Sequence, residues 1–71
     1  MTSAPSPVRA ARTGLAMRQA DLAAAVGVSR QTIVALERGD YAPSVYLALR
    51  IARALADTVE NLFPLPEENA R

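Results

Sequence analysis

The chain has 71 residues and no cysteine, histidine, lysine or tryptophan. Without cysteine there are no disulfide staples and no thiolate nucleophiles, and without cysteine or histidine the common zinc-ligand sets cannot be assembled. Imidazole acid–base chemistry is excluded with them. No pair of carboxylates is spaced for a pocket and no glycine-rich loop could cradle a phosphate, so an enzyme is not expected, nor a metal or cofactor. Aromatic residues are limited to Tyr41, Tyr46 and Phe63, and the apolar fraction of 51% rests on alanine. That composition favours closely packed helices over a sheet of bulky β-branched residues. No run approaches the roughly 20 consecutive apolar residues of a membrane span. Met1–Pro7 lacks the charged-then-apolar order of a secretory signal. A cytoplasmic protein with no membrane partner is therefore expected.

A chain of this length is expected to form one domain, near the lower size limit for folding without staples. The overall charge of +1 hides an asymmetry. Residues 1–38 carry Arg9, Arg12, Arg18, Arg30 and Arg38 against Asp21 and Glu37, a balance of +3. Residues 39–71 carry Arg50, Arg53 and Arg71 against Asp40, Asp57, Glu60, Glu67 and Glu68, a balance of −2. The first half is suited to facing a polyanion.

Residues 1–7, with Ser3, Pro5, Ser6 and Pro7, read as a flexible lead-in. Apolar spacing over Val8 to about Met17 fits a first helix, weakened near Gly14, where it is expected to end. A second, Gln19 to Val26, lines one face with Leu22, Ala23 and Val26 and is stopped by Gly27. Ser29 is placed to cap a third helix beginning at Arg30, with Ile33 and Leu36 inward and Gly39 as its stop. Pro43 holds Ala42 extended before a further cap at Ser44. A strongly apolar fourth helix follows through Val45, Leu47, Ala48, Leu49, Ile51, Ala52 and Leu55, with Arg50 and Arg53 outside. Asp57 and Thr58 turn the chain into a short fifth helix, Val59–Phe63, ended by Pro64. Residues 64–71 form a proline-bearing acidic tail. The expectation is an all-α, five-helix domain over residues 8–63.

Gln19 to Gly39 is the informative segment: a short helix, a turn of Gly27, Val28 and Ser29, and a second helix with its front left free. Ala23 is small where the two helices approach, Gly27 supplies the left-handed turn residue, and Val28, Ile33 and Leu36 bury the back of the second helix. The run RQADLAAAVGVSRQTIVALERGDYAPSVYLALRIARAL resembles the Cro and phage-repressor class of helix-turn-helix proteins, the xenobiotic-response-element family. The likeness takes in the GVSRQTI turn and helix start, the LERGDYAPS loop and the closing VENLF helix.

The resemblance implies a lambda-repressor-like fold and a bacterial or phage-type transcription regulator that binds double-stranded DNA. It implies base contacts from Ser29, Arg30, Gln31, Thr32 and Ala35, with Arg30 suited to guanine O6 and N7 and Gln31 to adenine. Ala35 stands where some relatives carry a long polar reader and offers only a small apolar contact. Gln19 corresponds to a phosphate clamp at a helix N-terminus, and Arg18 and Arg38 are placed for phosphates. Arg12 and Glu37 match an internal salt bridge tying the first helix to the third. Val59, Leu62, Phe63 and Leu65 form an apolar cluster that is either the edge of the core or the interface of a homodimer reading a pseudo-palindrome. A homodimeric repressor is the leading reading. The alternative is an antitoxin-like module whose acidic half binds another protein.

Overall fold

The computed structural model describes residues 6–65. The flexible lead-in and the acidic tail expected from the sequence fall outside the described residues, except for Ser6, Pro7, Pro64 and Leu65. Five helices follow in order: α1 (Pro7–Gly14), α2 (Gln19–Val26), α3 (Arg30–Glu37), α4 (Val45–Ala54) and α5 (Val59–Leu62). Among the described residues there is no strand, in line with the all-α expectation.

The helix starts are chemically specified. Ser6 Oγ accepts from the Arg9 N–H at 3.0 Å, with Pro7 in the first turn, so α1 begins one residue before Val8 and takes in the end of the supposed lead-in. Ser29, Ser44 and Thr58 cap α3, α4 and α5 in the same way, accepting from Thr32, Leu47 and Asn61 at 3.1 Å. Helix α2 has arginine at its N-cap, whose side chain cannot accept from the following N–H groups; the local bond at this end is instead Asp21 accepting from the Arg18 backbone N–H at 2.9 Å.

The helix ends share one device. At α1, α2, α3 and α4 a residue in left-handed geometry lets the next N–H reach back five positions to a carbonyl: Met17 to Arg12, Val28 to Ala23, Asp40 to Ala35, Asp57 to Ala52. The left-handed residues are Ala16, Gly27, Gly39 and Ala56. Helix α1 accordingly stops at Gly14, where the glycine was expected to end it. At Gly27, φ is +81° and an added Cβ would meet nothing within 4 Å, so a substitution there is penalised through the backbone alone. Gly27→Ala should lower unfolding stability by about 1 kcal/mol in urea titration, because the ~1–2 kcal/mol left-handed penalty is partly offset by a less flexible unfolded chain.

The core is built around α2, which packs against both α3 and α4. Leu22, Ile33 and Ile51 are fully buried, and Val8 brings α1 onto the same cluster. Ala23 is buried in the same core cluster. Helix α4 differs from its sequence reading. Its inward face is Leu47, Ala48, Ile51, Ala52 and Leu55, so Val45 and Leu49, which are out of phase with that set, are 72% and 52% exposed. Tyr46 joins them at 76% exposed. Leu62 is 2% exposed and belongs to the core, while Val59 and Phe63 pack against it half-buried and Leu65 is open.

Two aspartates report on acid stability. The Arg18 guanidinium, and then the Arg18 backbone N–H, hold the Asp21 carboxyl below its ordinary value; the Asn61 side chain and the Thr58 N–H do the same for Asp57. A lowered folded-state pKa gives stabilisation that is complete above the unfolded value and is lost as pH falls through the folded one. The urea midpoint should thus be level from about pH 5 to 8 and decline only below about pH 4, more shallowly in Asp57→Asn. A step near neutral pH would contradict this, since the chain has no histidine.

Candidate nucleic-acid interface

Helix α3 is held by its back and open at its front. Ile33 and Leu36 are buried against α2, while Ser29, Arg30 and Gln31 at the first turn are exposed and Thr32 and Ala35 are half-buried at its flank. Val28 packs against the core just before the cap, which fixes the entry of the chain into α3. Ser29 Oγ accepts from the Thr32 N–H and lies 3.0 Å from Thr32 Oγ1, so the two hydroxyls form one unit at the helix start. The guanidinium of Arg30 and the amide of Gln31 are left as the long donors of this turn. Both can form paired hydrogen bonds to base edges in a major groove.

The far end of α3 is fixed to α1. Arg12 Nε donates to Glu37 Oε2 at 2.6 Å and Nη2 to Oε1 at 3.1 Å, a fork-on-fork pair whose side chains are 9% and 4% exposed. The remaining donor, Nη1, binds the Met17 carbonyl at 2.8 Å, just beyond the end of α1. The internal salt bridge that the sequence resemblance implied is thus present and buried. No buried side-chain nitrogen or oxygen among the described residues lacks a partner.

Gln19 sits at the first position of α2, as expected, but its amide is not free. Its Nε2 donates to Glu37 Oε1 at 3.1 Å, on the same oxygen that Arg12 Nη2 holds. One amide proton is committed inward and the other remains available for an anion at the α2 N-terminus. The sequence reading assigned Gln19 and Glu37 to different tasks, and nothing in their spacing signals the bond, which joins residues 18 apart in the chain.

Arg18 and Arg38 are both exposed beside this cluster, each with a surface carboxylate: Arg18 to Asp21 at 3.1 Å and Arg38 to Asp40 at 3.5 Å. Such exposed pairs are weak, and a phosphate can compete with the carboxylate for the guanidinium. Arg18, Gln19, Arg30 and Arg38 all line one open groove to which α1, the start of α2, α3 and the end of α5 contribute. Among the described residues no group of acidic residues could hold a metal ion, and no helix is long and apolar enough to cross a membrane.

A second surface lies on the other side of Leu36 and Gly39. Tyr41, Val45 and Leu49 meet Val59 and Phe63 along a mostly apolar groove. Leu62, grouped with Val59, Phe63 and Leu65 from the sequence, is not on this surface, because burial in the core turns it away from any second molecule. The α4 residues were legible in principle: Val45 and Leu49 are one turn apart and opposite the Leu47, Ile51, Leu55 stripe.

The helix-turn-helix family profile matches residues 8–56. An HTH-type transcriptional regulator of Methanothermobacter thermautotrophicus, itself uncharacterized, is 51% identical over 65 residues, spanning 90% of this chain and 94% of its own. The HTH-type regulator YgzD of Bacillus subtilis is 45% identical over 62 residues, spanning 87% of this chain and 94% of its own. Among solved structures, the restriction-modification controller protein C.AhdI of Aeromonas hydrophila is similar with a TM-score of 0.74 at 32% identity, covering 80% of this chain and 86% of that one.

Proposed function

Because the chain belongs to the helix-turn-helix family of DNA-binding, non-enzymatic transcriptional regulators, we propose that it is a homodimeric repressor that reads a pseudo-palindromic operator through the major groove. The observation that carries this reading is the exposed, capped first turn of α3, from which Arg30 and Gln31 project while Ile33 and Leu36 lock the helix behind them. In it, Arg30 pairs with guanine, Gln31 with adenine, Thr32 and Ala35 meet the groove wall or a thymine methyl, and Ser29 completes the turn. Gln19, with its outward amide proton, and Arg18 and Arg38 hold the backbone phosphates on either side.

A single helix-turn-helix covers little DNA, and pairing two copies about a two-fold axis doubles the contact. The apolar surface of Val59 and Phe63, continued onto α4 by Val45 and Leu49 and followed in sequence by the exposed Leu65, supports a second copy as the partner there. Two-fold pairing sets the α3 helices about one helical turn apart, ~10 bp between half-site centres.

Selection of duplexes from a random library by the purified protein, followed by sequencing, tests the proposal. Enrichment of a two-fold symmetric site is expected. A single unpaired half-site would sink the dimer and keep the DNA reader. A flat pool from folded protein would sink both and leave a module that acts through another protein.

A further inference from the structure

We propose that Arg9, on α1, is a further phosphate-binding residue that extends the DNA contact beyond the helix-turn-helix itself. The proposal rests on the DNA-binding reading above and adds a contact from a helix outside the motif. Arg9 lies one turn before Arg12, and residues three apart share a helix face. Both line the groove that also holds Arg18, Arg30 and Arg38, and Glu37 is the one carboxylate among the described residues of that lining.

The groove's cations are not equivalent. Glu37 is already matched by Arg12 in a buried pair, and Arg18 and Arg38 each have a carboxylate neighbour. Arg9 and Arg30 have no ion-pair partner among the described residues. Both are exposed, so each can meet an anion without first releasing a carboxylate. Arg30 stands on the helix that reads bases; Arg9 lines the same groove from α1, outside the motif, where the ligand offered by double-stranded DNA is a backbone phosphodiester. A guanidinium can grip two of its oxygens at once. The position of Arg9 relative to α3 is set by its own helix, because the Arg12–Glu37 bridge clamps α1 to the end of α3.

A phosphate contact has a signature that a structural role lacks: it lowers the salt dependence of binding by a fixed amount, whatever the sequence. The experiment measures affinity by fluorescence anisotropy over a series of potassium chloride concentrations, for the full chain and for Arg9→Gln, Arg9→Lys and Arg53→Gln. Two duplexes are used, one carrying the selected site and one of scrambled sequence. Arg9→Gln should reduce the slope of log affinity against log salt by about 0.9 on both duplexes. Arg9→Lys should restore the slope, and Arg53→Gln, which lies outside the groove, should leave it unchanged. An unchanged slope in Arg9→Gln, with the unmodified chain binding normally, overturns the role of Arg9 and leaves the DNA-binding reading intact. Failure of Arg9→Lys to restore the slope also overturns it. Absence of binding by the unmodified chain to either duplex at every salt concentration overturns the DNA-binding reading and Arg9 with it.

Discussion

Glu37→Ala is expected to lower the unfolding free energy by about 3–5 kcal/mol, the range for removing one partner of a buried ion pair. For a domain whose whole stability is of the order of 5–15 kcal/mol, that is close to unfolding it at room temperature. The reason is what would be left behind. Arg12, with a side chain only 9% exposed, would keep the Met17 carbonyl but lose both carboxylate oxygens, and the Gln19 amide would lose its acceptor as well. Arg12→Met with Glu37→Leu removes both charges together and should recover much of the loss, short of full recovery because the Met17 carbonyl still loses its donor. Urea titration of Glu37→Ala and of the double variant separates these outcomes. A loss below about 1 kcal/mol in Glu37→Ala would mean that the pair behaves as a surface contact, and the account of α1 fastening α3 would be wrong.

Arg30→Ala is expected to weaken binding to the selected operator by about 1–3 kcal/mol and to flatten preference at one base pair per half-site, with little change in fold. Arg30 is exposed and unpaired among the described residues, so its removal leaves no partner stranded inside the protein. The measurement compares affinities for the selected site and for all single-base variants of it. Arg38→Ala serves as the contrast: it should weaken every duplex alike and lower the salt slope by about 1. If Arg30→Ala also weakens all duplexes equally, Arg30 holds a phosphate and base reading must come from Gln31 or Thr32. Arg53→Ala, on α4, should change neither quantity.

Much of the fold was readable because each boundary has a local chemical cause. Ser29, Ser44 and Thr58 are short oxygen-bearing residues before apolar runs, and Gly27 and Gly39 end the two helices of the motif as their left-handed φ values require. At the end of α1 the glycine signal lies at Gly14, whereas the left-handed residue is Ala16, whose residue type gives no sign of that geometry. Helix α4 was misread because of its composition. A run in which nearly every residue is apolar has little periodic contrast, so the offset of Val45 and Leu49 from the Leu47, Ile51, Leu55 stripe is easily passed over until packing shows which face is inward. In the candidate site, the Arg12–Glu37 pairing came from family likeness, and the structure adds its burial and the Met17 carbonyl. The Gln19–Glu37 bond and the place of Arg9 in the groove depend on how α1, α2 and α3 converge, which no local pattern encodes.

Helix α3 is fastened at both ends, by the Ser29 cap at its start and by the Arg12–Glu37 bridge at its finish. A reading helix held in this way has given up its conformational freedom during folding, so docking need not order it again, a step that elsewhere costs ~1–2 kcal/mol for each backbone residue fixed. Affinity for DNA therefore depends partly on residues that never touch it. A variant that stays folded but lets the end of α3 fray would keep every contact and still bind more weakly. Calorimetry would register that loss as a larger entropic penalty on association.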